Sequence, residues 1–261
     1  MPLSLVGAPK RRRTTVRLKI IACEVTFREL CYVVARAKNV VDLTFVTQGY
    51  HDNPEIGRER LQALIDAVEP GRFEAILLGY CLCNNLVVGL QAPEHTPLVI
   101  PRAHDCVTLF LGSKERYAEM FRQRPGTYYY TSGWLEYSQR GGERVPYRPS
   151  SGLGPRRQTY EELVEKYGEE NAQYLLEFMG HWQQYYTHGV WIDFDFLDGL
   201  PFRERVKQIC TERGWQYEEV KGDLSLLQRW VDGEWNEADF LIVQPGKAVT
   251  ATYDEGIIAV S

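Results

Sequence analysis

FEAILLGYCLCNN, residues 73–85, decides the fold: a short unbroken apolar run stops at Gly79-Tyr80 and meets two thiols, Cys81 and Cys83, and two amides, Asn84 and Asn85. A run this short, without polar alternation, reads as a strand buried on both faces, the habit of parallel sheets. The same sentence is written twice more. VRLKIIA ends at Cys23, and PLVIPRA ends at His104-Asp105-Cys106. In an open parallel sheet, ligands bind beyond the carboxyl ends of the strands. If these three strands are neighbours, Cys23, Cys83, Cys106 and His104 meet at one spot.

Working outward, strands are expected at 16–22, 41–46, 73–79 and 97–101, with helical spacing over 26–38 and 57–68 between them. Pro70-Gly71 stops the second helix. Strand and helix in turn are the mark of βαβ units, whose sheet is parallel. After Cys106 a short helix runs to Leu111, and Ser113 is placed to cap another, with Arg116 three residues on instead of the Glu or Gln of a full capping box. Thr127–Tyr130 is an aromatic strand ending at Ser132-Gly133-Trp134.

Residues 139–157, rich in Arg, Gly and Pro, read as a long exposed loop. Helices are expected at 159–166 and 169–186. Strand, helix, strand, helix and strand follow at 190–194, 201–213, 215–219, 223–231 and 239–243. The expected division is a flexible N-terminal arm (1–15), a first α/β half carrying the strand-end cluster (16–135), an exposed loop (136–158), and a helical insert with a second α/β half (159–261). The fold class is α/β: a Rossmann-like, mostly parallel sheet flanked by helices, with the two halves open to reading as a pseudo-duplicated pair.

Composition narrows the function. The 261 residues carry a net charge of -5, against a nucleic-acid binder, whose affinity comes from massed Lys and Arg. Lys10-Arg11-Arg12-Arg13 is the basic cluster, read as part of a solvated arm. No apolar stretch approaches the roughly 20 residues that span a bilayer. With no secretory signal in view, the six cysteines should be reduced thiols in a cytoplasm. A small-molecule substrate is then expected.

Cys23 sits where a strand hands over to a helix, a place that favours a thiolate. Cys81-Leu82-Cys83 is not the C-x₂-C of a zinc knuckle, and only one of its thiols is expected to reach the site. Asn84 and Asn85 are candidates for a substrate carboxylate or amide, or for capping. Arg102 could bind an anionic substrate or pair with Asp105. His104 and Cys106 could ligate one metal, with Asp105 orienting the imidazole or capping the helix. Trp134 could stack on a ligand. Cys31 and Cys210 read as packing residues, and His51, His95, His181 and His188 have no partner at metal spacing. Asp193 and Asp223 are weaker contributors. Walker A, G-x-G-x-x-G and G-x-S-x-G sequences are absent, which lowers the odds of a P-loop NTPase, an ordinary NAD enzyme and an α/β-hydrolase.

The segments IACEVTFREL, GYCLCNN, PRAHDCVTLFLGSKERY, PGTYYYTSGWLE and GDLSLLQRWVDGEWNEADFLIVQPG together resemble the blocks of domain-of-unknown-function family 1638, found in bacteria and archaea. The resemblance spans most of the chain. It implies that Cys83 is the family thiol and Cys81 a departure, and that Cys23, His104, Asp105, Cys106 and Trp134 match family blocks. It also implies a setting beside corrinoid methyltransferase components, in one-carbon or methylated-amine metabolism.

The leading expectation is a metalloenzyme in which Cys23, Cys83 and Cys106, with or without His104, hold zinc or an iron–sulfur cluster, and Asn84, Asn85, Arg102 and Trp134 bind a small, polar, anionic substrate. A metal-free thiol enzyme with Cys106 as nucleophile, His104 as base and Asp105 as orienter is the first alternative. A non-catalytic accessory protein of a corrinoid methyltransferase system, docking through loop 139–157, is the second.

Overall fold

A computed structural model describes residues 15–51, 53–140, 186–252 and 254–261. The basic cluster Lys10–Arg13, nearly all of loop 139–157 and the helices expected at 159–166 and 169–186 lie outside the described residues.

The first sheet has the order β2-β1-β3-β4-β8. Its centre is β1 (Arg17–Cys23), parallel to β2 (Val40–Val46) on one side and β3 (Ala75–Gly79) on the other. β4 (Leu98–Pro101) continues the parallel set beside β3. Every residue of β3 and β4 is buried, which is why these strands read as solid apolar runs. Between the strands lie α1 (Phe27–Val34), after a 3-10 turn at Glu24–Thr26, and α2 (Pro54–Asp66), with proline in its first turn. α3 (Val107–Leu111) and α4 (Lys114–Gln123) follow β4, and Ser113 caps α4 by accepting from the Arg116 amide at 3.2 Å.

The second sheet holds β5 (Thr127–Tyr130), β6 (His188–Asp193) and β7 (Gln216–Lys221), all parallel, in that order. α5 (Ser132–Glu136) follows β5, and α6 (Phe202–Arg213) joins β6 to β7 and ends at Gly214 in the left-handed conformation, φ 69°. α7 (Ser225–Val231) leads into β8 (Phe240–Val243).

The α/β architecture is as expected, but the division between halves is not. β5, assigned by sequence to the first half, pairs with β6. β8, assigned to the second, pairs antiparallel with β4 and closes the first sheet. Trp230 of α7 shows how: it is wholly buried and donates from Nε1 to the Val99 carbonyl of β4, drawing the chain back across. A four-residue apolar strand carries no signal of direction or sheet, so this exchange was invisible in the sequence. Five strands with an antiparallel edge against three parallel ones also limits any duplication to the βαβ units. The hairpin β9 (Val249–Ala251) and β10 (Ile258–Val260) finishes the chain. Among the described residues no helix is long and apolar enough to cross a membrane.

The two sheets meet where α5 lies on the start of α1. Gly133 is pressed so close to Val25 that a Cβ there would lie 1.8 Å from the Val25 carbonyl oxygen. Beside it, Ser132 Oγ donates to Glu29 Oε1 at 2.7 Å, and Arg28 pairs with Glu136 at 2.6 Å while lying over the Phe202 ring. Tyr32 stacks on Phe196, ring centroids 4.3 Å apart. Glu29 is wholly buried and its Oε2 has no hydrogen-bond partner among the described residues; burial pushes its carboxyl up to about 7, against the pull of Ser132.

Gly133→Ala should therefore destabilise the protein by about 3 kcal/mol, the upper end for overpacking, because the atom met is backbone; denaturant unfolding measures it, and a loss near zero would mean that α5 can slide. Glu29 gives a pH signature. The folded state keeps a proton that the unfolded chain releases near 4.5, so stability falls as pH rises from there to about 7, at most about 1.4 kcal/mol per pH unit. Glu29→Gln should flatten that slope; unfolding series on both proteins with the same slope across this window would refute it.

Candidate functional site

Four strand ends of the first sheet and one of the second deliver side chains to one place. β1 ends at Cys23, 2% exposed. Beyond β2, a 3-10 turn at Gln48–His51 swings His51 inward. That turn is tied to the one after β1, since the Gln48 amide donates to the buried Glu24 carboxylate at 2.9 Å. His51 Nε2 then stands 3.4 Å from Cys23 Sγ, and the Cys83 sulfur is near enough to favour its charged form. β3 continues into Tyr80, buried with its hydroxyl donating to the Thr47 carbonyl at 3.5 Å, and into Cys81 and Cys83, both buried. The residues after β4 bring Cys106, and α5 brings Trp134, which hydrogen-bonds the Cys106 sulfur. The Trp134 and His51 rings lie 6.3 Å apart, centroid to centroid.

The turn after β3 is built to hold this. The Leu82 and Cys83 amides donate to the Ala103 and His104 carbonyls at 2.9 Å each, prolonging the parallel pairing beyond the strands. Cys83, Asn84 and Asn85 then take φ of 43°, 59° and 62°, three successive left-handed residues without one glycine. Such backbone costs roughly 1–2 kcal/mol per residue and persists only where the surroundings impose it.

The electrostatics are asymmetric. The Cys81 thiol donates to Cys83 and, with His51, holds the Cys83 sulfur well below the usual thiol range in spite of burial. Cys81 is correspondingly pushed up by that same bond and by burial. Burial disfavours a charged His51, but the Cys83 and Cys23 sulfurs more than reverse it, so its imidazole is held well above its ordinary value. Cys106 is pushed well up by burial, by Asp105 and by the other sulfurs, with Trp134 pulling weakly the other way. The arrangement favours the ionised form at Cys83 and His51 and the neutral thiol at Cys106.

Of the residues expected from sequence, Cys23, Cys83, Cys106 and Trp134 do converge. His104 does not. It is exposed, at the bend after β4 where the neighbouring Ala103 is buried instead; His51 stands in its place. Asp105 orients no imidazole: its Oδ1 accepts from the Val107 amide at 3.0 Å and its Oδ2 from the Tyr117 hydroxyl at 3.1 Å, so it caps α3. Arg102 holds the C-terminal hairpin through the Gly256 and Ile258 carbonyls, not a substrate. Asn84 and Asn85 are exposed. Cys81 and Cys83 are both buried there. Cys31 and Cys210 stay apart from it, Cys210 packed under Gly189. His51 and Tyr80 were missed, although both lie just past a strand end, as the thiols do.

Three thiols and an imidazole are a donor set that zinc takes, and 3.4 Å between Cys23 Sγ and His51 Nε2 is near the separation of about 3.5 Å that two ligands of one tetrahedral zinc would show. Among the described residues, however, no three His, Cys, Asp or Glu side chains stand close enough together to hold an ion as they are.

No curated protein and no solved structure matches the chain. A family model described as a protein of unknown function, DUF1638, matches residues 45–231, which take in His51, the Cys81–Cys83 turn, Cys106 and Trp134. Strand ends that gather cysteines around a histidine thus lie largely within the matched region, and the chain belongs to the DUF1638 family.

Proposed function

We propose that the protein is an enzyme working through a cysteine thiolate, with Cys83 as nucleophile and His51 as its partner. The observation that carries the reading is His51 Nε2, 3.4 Å from Cys23 Sγ at the ends of parallel strands, where it also favours the ionised form of the Cys83 sulfur. A nucleophile and base within hydrogen-bond reach, the base held by a further group, is the general layout of covalent catalysis. The Cys83 sulfur attacks an electrophilic carbon of a small molecule, a sulfur–carbon bond forms, the bond to the leaving group breaks, and His51 gives that group its proton. In the one-carbon setting that the family resemblance implies, the transferred group is a methyl, and corrinoid methyltransferase components supply or take it. Six free thiols suit a reducing cytoplasm. Timed alkylation by iodoacetamide, read by peptide mass, should label Cys83 first, and His51→Asn should slow that label roughly tenfold or more at neutral pH, since the thiolate is the reacting species. Earlier labelling at Cys106 or Cys23 sinks the assignment.

The donor set favours one second reading. Cys23, His51, Cys83 and Cys106 would hold zinc or an iron–sulfur cluster, which when bound would supply a Lewis acid. Elemental analysis of anaerobically purified protein should then find about one zinc, or several iron, per chain, lost on Cys106→Ala; protein free of both metals, with Cys83 still reactive, leaves the thiolate reading alone.

A further inference from the structure

Glu29 is a buried acid that neither reading of the sulfur centre uses. It lies in the first turn of α1, wholly buried, against the segment that carries Trp134. One of its carboxyl oxygens accepts from Ser132 Oγ at 2.7 Å. The other has no hydrogen-bond partner among the described residues, nor has the hydroxyl of Thr131, the buried residue before Ser132. Gly133 closes the seam, with no room for a Cβ beside the Val25 carbonyl. A neutral carboxyl is tolerated in such a place. A carboxylate there has a single side-chain donor and no water, and burial disfavours it.

The charges around it cannot take up a new one. Arg28 on its own helix and Glu136 on α5 are paired with each other, and Arg140 pairs with Glu136 at 2.8 Å. Cys31, further along α1, is a partly exposed thiol held up by burial. In the 3-10 turn before α1, the Glu24 carboxylate accepts from the Gln48 amide. α7, packed on α1, has Arg229 paired with Asp239, and Asp232 at its end paired with Lys38. Parting α5 from α1 is what brings water to an ionised Glu29. Trp134 travels with α5, and its ring faces His51 over Cys83 and Cys106, each 7% exposed.

We propose that the α5–α1 seam is a pH-operated latch: protonated Glu29 keeps α5 down over the sulfur centre, and its ionisation favours a state in which α5 lifts with Trp134 and opens the centre to solvent. The latch goes beyond both readings of the centre, since it holds whether Cys83 acts as a thiolate or as a metal ligand. The closed seam keeps a proton that the open one releases near 4.5, so opening is favoured as pH rises from there to about 7 and then levels off.

Hydrogen exchange on the full chain, read by peptide and corrected for the intrinsic pH dependence of amide exchange, tests it. Residues 131–137 should exchange faster across that window, by up to about tenfold per pH unit, while peptides from β3 and β4 stay protected. Glu29→Gln should remove the dependence. Ser132→Ala takes away the hydrogen bond that favours the charged carboxylate, so it should carry the plateau to higher pH. If Glu29→Gln does not fold, the wild-type curve and Ser132→Ala decide alone. Exchange of this segment that ignores pH, or that keeps its slope in Glu29→Gln, overturns the latch. So does exchange rising in step over the whole chain, which is unfolding, and so does a Ser132→Ala protein loosened equally at every pH.

Discussion

The register of β1 between β2 and β3 is the constraint on which the rest of the structure depends. Cys23 pairs with Val46 across one ladder, and Ala22 with Gly79 across the other. All three strands leave the sheet at the same level, so the first residues past each end become neighbours: the Gln48–His51 turn, Cys23 itself, and Tyr80 through Cys83. A parallel ladder fixes this through backbone hydrogen bonds alone. Side chains that chemistry needs are then carried on the least regular part of each connection, yet located by the most regular part.

That placement has opposing energetic terms. Three left-handed residues at Cys83–Asn85, none of them glycine, are unfavourable, and so is the burial of the Cys83 and His51 side chains, which opposes their charge. The fold offsets them locally. The Leu86 amide donates to the Leu82 carbonyl at 3.0 Å, closing the left-handed turn, and Leu86 and Val87 are wholly buried just beyond it. Backbone strain of this sort clusters at functional sites across proteins. A purely structural cysteine would be as well served by a relaxed backbone, since free Cys otherwise behaves as a small hydrophobe.

Much of this was legible before any coordinates. The apolar runs ending at Cys23, Gly79 and Pro101 gave their strands, and the rule that ligands gather at the carboxyl ends of parallel strands brought Cys23, Cys83 and Cys106 together. What was not legible depended on facing. His104 lies two residues from Cys106, and nearness in sequence made it attractive; Ala103 takes the inward position and His104 is turned to solvent. His51 is 28 residues from Cys23, and only the fold shows that the turn after β2 folds inward, tied to the buried Glu24 carboxylate. Arg102 looked like an anion receptor because the hairpin it binds, β9 and β10, gives no sign in the sequence of returning to that point.

The second sheet matters to the centre through one residue. Trp134 enters from α5, and its hydrogen bond is the influence drawing the Cys106 thiol down, against burial, Asp105 and the neighbouring sulfurs. Its position depends on Gly133 against Val25 and on Ser132 against Glu29, contacts that also join the two sheets. The same few atoms therefore set the stability of the junction and the state of the sulfur facing Cys83. A centre assembled from one sheet alone would hold Cys23, His51 and Cys83 but leave Cys106 without its donor. The difference between the two sulfurs is set within the first sheet, where Cys81 and His51 draw Cys83 down while burial and Asp105 push Cys106 up, and α5 adds through Trp134 a pull that narrows it.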